Sequence, residues 1–386
     1  MDMLQVLRAA QLRHEEFIGE LEHLVNIDSG SSTPAGVNKV ADLCQERLER
    51  GGWTVERLRG PRHPAAGQLG DLLIGRTQGR RDRDVLVIGH TDTIFEEGTV
   101  AQRPFEIRGT RAYGPGVADM KAGLLSAFFA LEVLQETMPE RTGNLTMVCN
   151  PDEELGSPFS GPLIRELART HDLALVLEAG RENGDIVSSR KGVTDYSIHI
   201  VGRAAHAGVE PERGRSAAVE AAHKVLALHA INGRWPGVTV NVGVVRGGTR
   251  ASVVAEHCDL EVDLRSPHLS SLQAAENEIE SLCGRAHTEG VKISFVKGEW
   301  HRPMERSEGT ARLVRLAQMI GRQVGIDLDE AATGGASDAN TTSAEGTPTL
   351  DGLGPVGGDD HSPSEWVDLE SVAPRIALLA GLIGQG

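Results

Sequence analysis

The chain has 386 residues, 39% hydrophobic and 24% charged, with 46 glycines; this is the make-up of an α/β protein rich in tight turns, long enough for two domains. A formal net charge of −16, from 39 basic and 55 acidic residues, argues against nucleic acid or an anionic membrane as partner, since the protein's own field repels both. Aromatics at 3% supply no stacking platform for bases, and Cys44, Cys149, Cys258 and Cys283 lack the spacing of a disulfide scaffold, which fits a reducing compartment, the cytoplasm.

Residues 2–26 carry an amphipathic helical pattern with no uninterrupted apolar stretch, so neither a signal peptide nor a membrane span is expected there. A loop over 28–34 leads to a helix over 36–51, closed by Gly51-Gly52. Strand-like runs follow at 53–58 and 71–76. The run Val85 to Ile88 is too short for a helix and apolar enough for a buried strand of a parallel sheet. Gly89 breaks it, placing His90 and Asp92 where the backbone leaves the sheet. That carboxyl edge is where open α/β sheets bind ligands.

Next comes Gly114-Pro-Gly-Val-Ala-Asp119-Met-Lys-Ala-Gly123, with an apolar helix beginning at about Met120. Asp119 at that boundary suits a helix cap as well as a ligand. Leu145 to Cys149 reads as another buried strand, followed by Asp152-Glu153-Glu154. A carboxylate pair at a strand end can divide labour, one binding a metal and one moving a proton; a hydrated acidic turn has the same appearance. Leu173 to Leu177 repeats the pattern, with Glu178 just beyond it.

After Gly184 the character changes. Strands are expected at 186–189, 195–201, 238–245, 257–265 and 291–296, and helices at about 214–230 and 269–288. This block reads as an α/β sandwich inserted into the first domain. A helix over 307–324, a glycine turn at Gly334-Gly335, the segment 353–365 with His361, and a last helix over 367–384 complete the chain.

Taken together, Gly-His90-Thr-Asp92-Thr, the Asp119 segment, Asp152-Glu153-Glu154-Leu-Gly-Ser, Glu178, Ala205-His206-Ala-Gly208 and Gly358-Asp-Asp-His361-Ser stand in the order of one family. The chain resembles the co-catalytic zinc aminoacylase/carboxypeptidase superfamily over nearly its whole length, and most of all its glutamate carboxypeptidase branch. The resemblance implies a zinc-exopeptidase-like, mostly parallel sheet flanked by helices. Residues 1–189 and 304–386 would form the catalytic domain, and 190–303 an inserted lid and dimerisation domain, hinged near Gly192 and Arg302.

It further implies two zinc ions, with Co²⁺ or Mn²⁺ as substitutes, that hold and activate the attacking water. Asp119 would bridge them, His90 and Glu178 would complete one site, and Glu154 and His361 the other. Glu153 would be the general base, Asp92 would orient His90, and His206 would steady the oxyanion, often in the partner subunit's site.

For the substrate's carboxylate, Arg302 in His301-Arg302-Pro303 matches the family's position, as an ordinary linker arginine also would. Arg265 matches a recurrent lid arginine, and a structural role suits it equally. Gly335 is a further candidate contact. Relatives carry Asn where Ser252 stands and Pro where Ala255 stands, a departure that bears on the preferred amino acid.

The expected activity is cleavage of an amide next to a free carboxylate, releasing a C-terminal amino acid, acidic residues among the candidates, from an N-acyl or short peptidyl substrate. The alternatives are an N-acyl-amino-acid amidohydrolase on the same fold and a non-catalytic metal-binding homologue. A homodimer is expected.

Overall fold

The computed structural model describes residues 2–385. The chain divides into two compact units. One holds the residues up to Ser188, Arg306–Ala332 and those from Ser337 onward; the other holds Ser189–Glu305 and Thr333–Ala336.

The first unit is built on a six-stranded sheet in the order Thr54–Leu58, Leu72–Thr77, Gly143–Asn150, Arg81–His90, Leu173–Val176, Thr349–Leu350. The last four strands run parallel, and the first two are antiparallel to their neighbours. Val85, Leu86, Val87 and Ile88 are each 0% exposed, because helices cover both faces of a parallel sheet and every side chain meets apolar neighbours. Burial of such a side chain stabilises by ~1.5–3 kcal/mol. The helix Ala122–Thr137 is apolar nearly all round, and its Phe129 meets Phe17 edge-on with centroids 5.3 Å apart.

Register positions the chemistry. His90 pairs with Asn150, and Ile88 with Val176. Continued by two residues, the second pairing brings Glu178 level with His90. Three strands therefore end at one height, with His90, the 150–154 turn and Glu178 side by side.

Several boundaries differ from the expected ones. The helix expected over 2–26 is two, Met3–Leu12 and His14–Val25, with Arg13 between them. The turn at Arg13 lets Met3, Val6 and Ala10 on one side and Phe17, Leu21 and Leu24 on the other reach one core. The helix after Asp119 starts at Ala122, since Asp119 and Met120 have non-helical backbone. The helix expected over 269–288 stops at Cys283. The last helix runs Val372–Gln385, because Trp366–Asp368 pairs with Arg111–Tyr113 as a strand of a second, four-stranded sheet.

The second unit is a four-stranded antiparallel sheet, ordered Thr239–Gly247, His257–Ser266, Gly192–Val201, Lys292–His301, with helices Ala217–His229 and Leu269–Cys283. Tyr196, Ile198 and Ile200 pack with Leu260, Val262 and Leu264 into its core. The alternate positions carry polar cross-strand pairs: Ser197 donates to Glu261 (2.7 Å), and His199 meets Asp259 (2.8 Å). Among the described residues no helix is long and apolar enough to cross a membrane.

Candidate metal centre

The strand Arg81–His90 delivers His90, 1% exposed, to the carboxyl edge of the sheet. Its Nδ1 lies 3.0 Å from the Asp92 carbonyl oxygen and 3.5 Å from Asp92 Oδ1. With Nδ1 on that carbonyl, Nε2 faces Asp119 Oδ1 at 3.0 Å and Glu178 Oε1 at 3.8 Å. The other Asp119 oxygen, Oδ2, lies 3.1 Å from His361 Nε2, which is 3.2 Å from Glu154 Oε2. One carboxylate therefore presents an oxygen to each of two imidazoles, and each imidazole has a second carboxylate beside it.

Asp92 has a second part besides facing His90. Its backbone carbonyl is nearer His90 than its carboxylate, which also accepts the backbone N–H of Glu153 and of Glu154 (both 3.2 Å) and the Ser31 hydroxyl (2.7 Å). The side chain of one strand-end loop thus anchors the backbone of the next. Glu153 and Glu154 open a short 3₁₀ turn, Glu153–Leu155, closed by Gly156 with φ 83°.

Five carboxyl groups meet two imidazoles here, and the titration of several of them records the crowding. Burial pushes the Glu153 carboxyl well above its ordinary value, and the charges of Glu178 and Glu154 push it further. Burial likewise raises Glu154 to about 6, against the pull of its bond to His361. Burial would raise Asp119, but its bonds to His361 and His90 bring it below the usual carboxylate range. His361 is lifted to about 10 by Asp119 and Glu154. For His90 burial works downward, and the bonds to Asp119 and Asp92 outweigh it and hold the ring well above its ordinary value. A cluster in which carboxylates raise one another and hold protons on both imidazoles is short of positive charge.

Cations of the zinc type fit this donor set. It offers nitrogen and oxygen only, and two ligands of one tetrahedral zinc stand about 3.3–3.6 Å apart, from bond lengths of ~2.0–2.2 Å. The His90–Asp119, His361–Asp119 and His361–Glu154 separations are 3.0, 3.1 and 3.2 Å. Two overlapping triads, His90–Asp119–Glu154 and His90–Glu153–Glu178, have donor atoms within 4.8 Å of one another. They divide the residues differently from the expected sites, grouping Glu153 with His90 and Glu178. The pairwise distances support Asp119 as the shared member.

The remaining candidates belong to the second unit. His206 bridges to Val253, and the Ala207 N–H donates to the Ser252 carbonyl (3.0 Å), so His206 and Ser252 sit on adjoining backbone. Arg265 forms paired bonds to Asp263 (3.0 Å) and donates to the Gly334 carbonyl (2.9 Å). These bonds give Arg265 a structural part, holding the turn that contains Gly335, whose own carbonyl accepts from Arg190 (3.2 Å). Arg302 is exposed.

Sequence reasoning missed the supports of the site. Asn150 and Ser157 both donate to Asp338 at 2.6 Å, and Asp152 accepts the N–H of Phe159 and Ser160. Glu365 accepts from the Asp119 loop. Asp338 and Glu365 each follow a Ser near a glycine-containing turn, but nothing in the sequence says which loop they hold.

The sequence profile of peptidase family M20/M25/M40 matches residues 86–385. Carboxypeptidase G2 of Pseudomonas sp. (strain RS-16) is 30% identical over 98% of this chain and 91% of its own length. A succinyl-diaminopimelate desuccinylase of Xylella fastidiosa (strain M23) is 28% identical over 87% of this chain and 92% of its own. In fold, the chain is similar to aminopeptidase PepT of Bacillus cereus ATCC 10987 (TM-score 0.77, 23% identity, 96% of this chain and 98% of that one). It is likewise similar to the M20 metallo-carboxypeptidase Sso-CP2 of Sulfolobus solfataricus (TM-score 0.76, 15% identity, with the same coverage). With its matched span and its conjunction of acids and imidazoles at the sheet edge, this chain belongs to peptidase family M20/M25/M40.

Proposed function

We propose that the protein is a dizinc hydrolase that cleaves an amide next to a free carboxylate and releases a C-terminal amino acid, in the manner of a carboxypeptidase. The observation that carries this is the Asp119 carboxylate, with one oxygen on His90 and the other on His361. His90, Asp119 and Glu178 would hold one ion, and Asp119, Glu154 and His361 the other. Bound there, two such ions supply Lewis acidity toward a carbonyl oxygen and lower the pKa of water.

The chain's own groups do the rest. The Nδ1 bond of His90 to the Asp92 carbonyl fixes the ring plane, and the Asp92 carboxylate holds the backbone of Glu153 and Glu154 in place. Glu153, lifted by burial and held at the strand end beside His90 and Glu178, is the general base. It takes a proton from the attacking water and returns it to the leaving nitrogen, a contribution of ~10²–10⁴-fold. The inserted unit would serve as lid and dimerisation surface, with His206 on the oxyanion and Arg302 on the substrate's carboxylate, where a guanidinium fork fits. A cytoplasmic setting suits the four unpaired, buried thiols.

The departure at Ser252 and Ala255 favours a second reading, an N-acyl-amino-acid amidohydrolase, and the desuccinylase relative is consistent with it. A panel of glutamyl and aspartyl conjugates against N-acetyl and N-succinyl amino acids, each with and without added Zn²⁺ or Co²⁺, separates the two. Turnover confined to the conjugates supports the carboxypeptidase, turnover confined to the acyl amino acids supports the amidohydrolase, and no metal-stimulated turnover on either contradicts both. Sedimentation at assay concentration tests the dimer, which a monomeric mass would exclude.

A further inference from the structure

Glu365 stands four residues beyond His361, is 0% exposed, and takes no part in the steps above. Its Oε1 accepts the backbone N–H of Ala118 (2.8 Å) and of Asp119 (3.0 Å), and its Oε2 that of Gly116 (2.9 Å). From the other side Lys121, 1% exposed, donates its ammonium to the carbonyls of Pro115 (3.3 Å) and Ile27 (2.8 Å). The loop between is irregular: Gly116 has φ 73°, where a Cβ would come within 2.5 Å of Thr93 Cγ2, and Asp119 has φ −113° and ψ 90°. The N–H groups of Lys121 and Ala122 close a π-type turn onto the Gly116 and Val117 carbonyls, whereas those of Gly116, Ala118 and Asp119 turn to Glu365. Three buried N–H groups then need acceptors from elsewhere, and one carboxylate supplies all three.

We propose that Glu365 is a positioning residue that sets the Asp119 carboxylate in register with His361. The same short segment carries His361 and Glu365, so the spacing of His361 from Asp119 is fixed through four residues of chain and one buried carboxylate. A Gln at 365 keeps the size but replaces one acceptor oxygen with an NH₂ that meets a backbone N–H. An Asp is one methylene short of the loop. This inference rests on the reading of Asp119 as a ligand shared by two cations.

The test is a Zn²⁺ competition titration against a chromogenic chelator, with the Co²⁺ visible spectrum of each protein, on wild type, Glu365→Gln and Glu365→Asp. The expected result is a 10–100-fold loss of metal affinity in Glu365→Gln, the scale seen when groups behind a ligand are removed, with an altered Co²⁺ band and partial recovery in Glu365→Asp. Unchanged affinity and spectrum, with only a lowered melting temperature, would make Glu365 a plain structural residue and overturn the proposal. Wild type that takes up no metal in the same titration would instead overturn the reading beneath it. If both variants fail to fold, hydrogen exchange of chelator-treated wild type decides: slow exchange over 115–121 supports the clamp, and exchange at the rate of an exposed loop overturns it.

Discussion

In the first unit the strand Arg81–His90 is buried on both faces from Val85 to His90, whereas Gly192–Val201 in the second alternates buried and open positions along its length. The difference decides where each sheet can meet a ligand. A parallel sheet covered on both sides has only its strand ends free, so His90, Glu153, Glu154 and Glu178 all stand at termini. The antiparallel sheet covers one face with two helices and leaves polar pairs such as Ser197–Glu261 on the other. Its surface is therefore broad and chemically mild, while the first unit concentrates buried charge in a few loops.

Substitutions should follow that division, most severely at the strand ends. Glu153→Ala is expected to lower turnover by ~10²–10⁴-fold, about 2.7–5.5 kcal/mol of barrier, while metal content stays that of wild type; normal turnover would remove Glu153 from the mechanism. Inside the covered sheet, Ile88→Ala, at a fully buried position, should cost ~2–5 kcal/mol in denaturant unfolding. A loss below ~1 kcal/mol would show that the strand is less enclosed than described.

Among the buried charges of the second unit, Glu220 tests the contrast differently. Glu220 accepts the N–H of His287 and of Thr288 and pairs with Lys224 at 3.1 Å. Burial raises its carboxyl, but these partners outweigh burial and hold it below its ordinary value of 4.5. Because the folded value is the lower one, its contribution is present above pH 4.5 and fades as the pH falls through the folded value. Glu220→Gln should therefore cost ~1–3 kcal/mol at pH 7 and progressively less in acid, measured by urea unfolding across pH; a pH-independent cost would rule out this linkage. On the open face, Ser197→Ala should change stability by no more than ~0.5 kcal/mol.

The sequence was legible wherever chemistry and local pattern coincide. Val85 to Ile88, Leu145 to Cys149 and Leu173 to Leu177 announce their strands by apolar runs, and an acid or imidazole after each marks the edge. What stayed hidden depends on pairing at long range. Trp366–Asp368 reads as the start of a helix until Arg111–Tyr113 lies beside it. Nothing local distinguishes Asp92 as anchor of the Glu153 turn from Asp92 as guide of His90, since that needs the distance between residues 61 apart. Glu365 is likewise an ordinary turn acid until the Asp119 loop, 246 residues earlier, folds onto it.

The account as a whole turns on Asp119 standing between two cations. Anomalous X-ray scattering at the zinc edge, from crystals grown with Zn²⁺, addresses this directly. Two peaks about 3.5–4 Å apart, one beside His90 and Glu178 and the other beside Glu154 and His361, with Asp119 between them, are the expected result. A single peak, or peaks that leave Asp119 out, would contradict it.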